Sequence, residues 1–128
     1  TNSLEALQNR AVRFIHSSYS YHVSVSSLKE ESSLLTLALR RRIATLALFH
    51  KFDYSSRDRP DFITTPARIS HRTGHALQVT RPRSHTKTFS ASFFPRASSE
   101  WNDLSHSTAA ITCPSLFLQN VTHCLSRN

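Results

Sequence analysis

Apolar residues recur at helical spacing in three stretches of the chain, and these stretches predict its main elements. They cover residues 3–16, 37–52 and 114–125. The middle stretch has the longest pattern, and Thr36 stands directly before it at the position of an N-cap. We therefore expect a mainly α fold, a small helical domain whose three apolar faces pack together. A weaker pattern at residues 24–32 predicts a further short helix.

The first predicted helix is clearly amphipathic. Ser3 can serve as its N-cap. Its polar residues lie off an apolar stripe that we expect to face the core. The stripe consists of Leu4, Leu7, Ala11, Phe14 and Ile15.

The segment Ser92–Leu104 is rich in large aromatic residues. It contains the only Trp and a double Phe. A large aromatic side chain contributes on the order of 2–3 kcal/mol when it is fully buried. We therefore predict a turn-plus-helix element at residues 94–104, with Phe93, Phe94 and Trp101 as the structural anchor that closes one side of the helices.

Residues 53–92 differ from the rest of the chain because they are poor in aliphatic residues and rich in Ser, Thr, Arg and His. We predict a basic segment that is extended or irregular. The runs at 76–80 and 86–89 are compatible with a β-bridge or a short hairpin. The chain is thus read as one domain with a helical segment at 1–52, the basic segment at 53–92, and a Trp-containing segment at 93–128.

Charge suggests a partner for the basic segment. The chain has a net charge of +8, and residues 57–96 contain eight basic and two acidic residues. Arg, which dominates this excess, makes planar contacts with phosphate and stacks on bases. We predict non-specific binding of RNA or single-stranded DNA, since no sequence-reading motif is present. The candidate contacts are Arg68, Arg72, Arg81, Arg83, Lys87 and Arg96, with His71, His75, His85 and Phe89 among them.

Two plainer interpretations of the basic segment stay open. It can be a solvated loop, and the abundance of Arg can reflect codon composition. The sequence gives little support to catalysis or metal binding. The adjacent Glu30 and Glu31 would point to different helix faces, and no activated nucleophile or metal-ligand spacing is visible. We therefore expect no catalytic site, no cofactor and no metal. No apolar run is long enough for a membrane span, and no secretion signal is visible, so we expect an intracellular protein. Cys113 and Cys124 are expected to be free thiols.

Three blocks of the sequence resemble one protein family. The first block is residues 4–15, with the pattern Leu-Glu, Gln-Asn-Arg-Ala, Arg and Ile. The second is residues 40–51, which begin with three Arg, and the third is the Phe-Phe-Pro-Arg and Trp-Asn-x-Leu run within 93–104. In this order and spacing they resemble the C-terminal tail of the reverse-transcriptase polyprotein of non-LTR retrotransposons, in particular the jockey-like elements of arthropods.

The resemblance implies a part of a larger enzyme. The parent protein would be an RNA-directed DNA polymerase with an endonuclease domain, and this chain would be its non-catalytic accessory tail, packed behind the thumb of that polymerase. The Tyr-x-Asp-Asp centre of the family is absent from these residues, so we expect a fragment of a longer reading frame. The alternative is a structural or vestigial polypeptide from a degenerate element, which the single Gly also suits.

Overall fold

The computed structural model describes residues 2–54, 61, 63–69, 72 and 75–127. Within these residues it contains seven helices and no β-strand, which confirms the mainly α prediction. None of these helices is long and apolar enough to cross a bilayer. The helices are α1 (Asn2–Ile15), α2 (Val25–Glu31), α3 (Leu37–Tyr54), α4 (Lys87–Ser90), α5 (Phe93–Asn102), α6 (His106–Ala109) and α7 (Pro114–Ser126).

Internal contacts divide the chain into two compact units. Unit 1 is Thr1–Arg41 and unit 2 is Arg42–Asn128. The division falls inside α3, whose first turn belongs to unit 1 and whose remainder belongs to unit 2. The predicted joint packing of three apolar faces is therefore described separately for each unit, and the packing of α1 with α7 stays a prediction.

Unit 1 packs through the polar face of α1, which corrects the predicted orientation of that helix. The predicted core stripe is exposed: Phe14 is 73% exposed and Leu7 is 59% exposed. Val12, which lies off that stripe, is fully buried. Glu5, Gln8 and Val12 follow at helical spacing and form the inward face. The reason for the reversal is that polar groups on this face have partners in the following elements.

Glu5 joins the three helical elements of unit 1. One carboxylate oxygen accepts a hydrogen bond from the backbone N–H of Leu37 at 2.7 Å, at the start of α3. The other pairs with the Nζ of Lys29 on α2 at 3.1 Å. The Leu37 N–H and the Lys29 ammonium together lower the pKa of Glu5 below its usual value. A carboxylate at a helix N-terminus also complements the helix dipole.

Two further contacts hold α1 to the residues that follow it in unit 1. The Gln8 side-chain amide donates to the Leu35 carbonyl at 3.0 Å. The Arg13 guanidinium donates to the Ser20 carbonyl at 3.0 Å and so ties down the turn after α1. The polar residues of this helix therefore stabilise the fold of unit 1.

Helices α1 and α2 both end in a Schellman motif closed by a serine. Ser17 and Ser33 have φ values of 49° and 54°, in the left-handed region that favours glycine. After α2, the Leu34 N–H donates to the Lys29 carbonyl at 2.8 Å and the Ser33 N–H donates to the Glu30 carbonyl at 3.0 Å. Serine in this region stores strain that glycine would not.

Unit 2 has a core formed by α3, α5, α6 and α7. Its largest fully buried side chains include Trp101, Phe49 and Phe117. His50 stacks on Phe117 with ring centroids 4.2 Å apart, and its Nε2 lies 2.6 Å from the Ile111 carbonyl. The predicted packing between the middle and last helices is thus present in this unit.

The boundaries of the predicted helices agree with the structure within a few residues. Three other details differ from the prediction. Thr36 does cap α3, since its Oγ1 accepts from the Leu39 N–H at 3.3 Å, and Pro114 opens α7 as predicted. Ser3 is not a cap, because α1 begins at Asn2. Residues 86–89 form no hairpin strand, because the Thr86 side chain caps the short helix α4. The short helix α6 was not expected.

Candidate nucleic-acid interface

Trp101 is the centre of the unit 2 core and the point from which the candidate interface is positioned. Its side chain is fully buried, with the ring centroids of Phe49 and Phe117 at 5.3 and 5.8 Å. Its indole N–H donates to the Leu77 carbonyl at 3.0 Å. One side chain therefore fills the core and also holds the backbone of the basic segment. Phe93 and Phe94, the other two predicted anchors, are half-buried.

Asn102 holds the same segment by a pair of bonds. Its side-chain oxygen accepts from the Val79 N–H at 2.9 Å, and its side-chain amide donates to the Val79 carbonyl at 3.0 Å. The amide thus satisfies both backbone groups of one residue, as a neighbouring β-strand would. The Thr80 N–H also donates to the Thr64 carbonyl at 2.7 Å, so two parts of the basic segment lie side by side.

His75 is part of this attachment and not of the basic surface on which we expected it. Only 4% of its surface is exposed. Its Nε2 lies 2.9 Å from the Trp101 carbonyl, and its Nδ1 accepts from the Leu77 N–H at 3.2 Å. These two bonds suit a neutral imidazole with its proton on Nε2. The prediction was wrong because spacing alone does not show that a histidine is needed to satisfy buried backbone groups.

A cleft of about 380 Å³ opens beside the attached segment. Among the described residues it is lined by Thr80, Pro82, Phe89 and Phe94. Phe89 lies on α4 and is 45% exposed, while Phe94 lies in the first turn of α5. Phe94 packs edge-to-face against Phe93, with ring centroids 5.0 Å apart. The cleft thus presents two aromatic rings and a proline ring to solvent.

All six predicted cationic contacts are exposed. Four of them stand within two residues of a cleft-lining residue, and consecutive Cα atoms are about 3.8 Å apart. Their Cα atoms therefore lie within about 7.6 Å of the Cα of a lining residue. These four are Arg81, Arg83, Lys87 and Arg96. Arg68 and Arg72 are exposed on the preceding part of the basic segment and do not flank the cleft in sequence.

One carboxylate lies near this group of cations. Glu100 on α5 has one oxygen 4.0 Å from the Arg42 guanidinium, and Arg96 also acts on its charge. Burial nevertheless raises the pKa of Glu100 above its ordinary value, and the two Arg only partly oppose this effect. Arg96 is therefore partly compensated. The other five predicted cations make no ion pair within the described part of the chain.

Several other expectations concern single residues. His71, the expected neighbour of His75, lies outside the described residues. His85 is exposed. Cys113 and Cys124 are free and exposed, as expected. In the described part of the chain, no group of three or more potential ligands is placed to hold a metal ion.

Comparison with models of known families, with curated proteins and with solved structures finds no match for this chain. The family resemblance therefore depends on the three sequence blocks alone. Their residues have clear structural roles, since Glu5, Gln8 and Arg13 stabilise unit 1 while Trp101 and Asn102 hold the basic segment. Sequence reasoning missed the role of Asn102, because its partner is the backbone of Val79, 23 residues earlier in the chain.

Proposed function

We propose that this chain is a non-catalytic accessory domain that binds RNA or single-stranded DNA without sequence preference, like the tail of the retrotransposon polymerase that it resembles. The observation that carries the proposal is a surface of positive charge on an ordered support, in which only Arg96 is partly compensated. Residues 76–99 contain four basic residues and no acidic residue. All four are exposed. A solvated loop needs no such support, but a phosphate-binding surface gains from it because less conformational entropy is lost on binding.

We also propose that this chain contacts the remainder of a parent polymerase, and the exposed stripe of α1 supports this. Leu4, Leu7, Phe14 and Ile15 are each at least half exposed, between 50% and 73%. They lie on one helix face, which is distinct from the face formed by Glu5, Gln8 and Val12 that stabilises unit 1. An apolar stripe of this kind is typical of a surface that is covered in a larger assembly.

A structural or vestigial polypeptide is the second candidate, and two observations favour it. Residues that carry the family resemblance, such as Glu5, Trp101 and Asn102, make contacts within the chain, so a purely structural role accounts for them without any nucleic acid. In addition, Gln8 Oε1 and Asn9 Oδ1 are buried without a hydrogen-bond partner in the described part. A buried unsatisfied polar atom costs about 1–3 kcal/mol, a defect that a sequence no longer under selection would tolerate.

The salt dependence of binding separates the two candidates. If about five phosphates are contacted, the logarithm of the association constant for a single strand should fall against the logarithm of salt concentration with a slope near −3.5, at about −0.7 per phosphate. Changing Arg72, Arg81 and Arg83 together to Ser should flatten that slope by about two units. Fluorescence anisotropy with a labelled oligonucleotide measures both slopes.

A matched control changes Arg10, Arg40 and Arg41 to Ser. These three residues are also exposed, so this variant loses the same charge from unit 1 and should keep most of the original slope. Equal flattening by both variants would show that only net charge matters. A wild-type chain whose binding ignores salt, or that does not bind, would favour the structural candidate.

A further inference from the structure

The cleft between α4 and α5 combines features that point to a particular part of a nucleic acid. Its described lining is two Phe rings, one Pro ring and one Thr. Its volume of about 380 Å³ falls within the range of about 300–1,000 Å³ that is typical of ligand sites. Flat aromatic surfaces of this kind stack on planar groups, and stacking does not depend on which base is present.

The charge around the cleft restricts its occupant. Arg81 and Arg83 stand on both sides of the lining residue Pro82, and Lys87 stands two residues before Phe89. All three cations are exposed and make no ion pair in the described part of the chain. An apolar peptide or a lipid tail would make no use of these charges. A nucleotide would use both features, because its base is planar and apolar on its faces while its phosphate is anionic.

We propose that this cleft takes an unpaired nucleobase of a single strand, which stacks on Phe89 while Arg81, Arg83 and Lys87 contact the neighbouring phosphates. The proposal rests on the proposed function and adds the part of the strand that the surface recognises. It also gives a role to the attachment of the basic segment by Trp101 and Asn102, which holds one wall of the cleft.

The test compares a short single-stranded oligonucleotide of dT with an abasic strand of the same length. Both strands carry the same phosphates, so the charge contribution to binding is matched. Base stacking on an aromatic side chain should make the dT strand bind about 5- to 150-fold more tightly than the abasic strand. Phe89→Ala should remove most of this preference and leave the salt slope unchanged, whereas Phe89→Trp should retain the preference.

Phe14→Ala is the matched control, because Phe14 is also an exposed Phe but lies on α1 in unit 1. It should behave as the wild type. Phe89 is itself nearly half exposed, so its replacement should leave the helix content of the chain intact by circular dichroism.

Three results would overturn the proposal. The first is equal, salt-dependent binding of the dT and abasic strands, which would leave the proposed function standing without a base site. The second is a preference for dT that persists in Phe89→Ala. The third is an apolar dye that occupies the cleft and yet does not displace the dT strand. If the wild type binds neither strand, the proposed function itself fails.

Discussion

The replacement of Trp101 by Ala tests the central packing interaction of unit 2. The side chain is fully buried against Phe49, His50 and Phe117 and donates a hydrogen bond to the Leu77 carbonyl. Replacing a buried Trp by Ala costs about 3–5 kcal/mol, because the protein loses the favourable burial of the removed atoms and is left with a cavity. A unit of about 90 residues has a total stability of about 4–13 kcal/mol. The substitution should therefore remove a large share of it.

Thermal unfolding followed by far-UV circular dichroism measures the effect. A domain of this size loses about 4–8 °C in melting temperature per kcal/mol, so we expect a decrease of at least about 12 °C. Trp101→Phe keeps an aromatic ring but loses the indole N–H, and it should fall between the wild type and Trp101→Ala. Tyr21→Ala is the control, since Tyr21 is fully exposed and its loss should change stability by less than about 0.5 kcal/mol.

The reasoning is refuted if Trp101→Ala melts together with Tyr21→Ala. That result would mean that the indole contributes little to the core, and that the basic segment is held by other contacts. If Trp101→Phe lost as much as Trp101→Ala, the hydrogen bond to Leu77 and the size of the indole would matter more than the aromatic contacts.

Three further substitutions and one control variant test unit 1. Ser17→Gly and Ser33→Gly should each stabilise the chain by about 0.5–1 kcal/mol in urea unfolding, since Gly relieves the left-handed strain but adds freedom to the unfolded chain. The control Ser27→Gly, inside α2, should instead destabilise the chain. Equal effects of the three substitutions would contradict the assignment of strain to Ser17 and Ser33. Glu5→Gln should destabilise the chain at pH 7. Because the folded pKa of Glu5 lies below its unfolded value, its contribution is present above the unfolded pKa and disappears as the pH falls through the folded one. The stabilities of the wild type and Glu5→Gln should thus converge in acid. A constant difference at all pH values would show that the charge of Glu5 does not cause the destabilisation.

The helices were predictable from the sequence because apolar spacing, Pro114 and the Thr36 cap are local signals. The orientation of α1 was not predictable in the same way. Its apolar stripe is the strongest amphipathic pattern in the chain, yet a different face packs within unit 1. Local periodicity shows which face is apolar, but it does not show that Glu5 finds a backbone N–H 32 residues later in the chain.

The candidate site, too, could be predicted from the sequence only in part. Exposed cations could be predicted because charge excess over a long segment cannot be neutralised locally. The cleft could not be predicted, since it joins Pro82 of an irregular stretch to Phe89 and Phe94 of two separate helices. The buried role of His75 was missed for the same reason, as its partners are the backbone groups of Leu77 and Trp101.

The structure gives the Trp-Asn pair and the cations different physical tasks. Trp101 and Asn102 bind the backbone of the basic segment through the carbonyl of Leu77 and both polar groups of Val79. These bonds depend on backbone atoms, so they place no demand on the side chains of the segment. The exposed positions that follow Val79 are therefore free to carry charge without cost to the core. A sequence that kept the Trp-Asn pair and lost its cations would keep this fold, while its affinity for a single strand would fall with each phosphate contact removed.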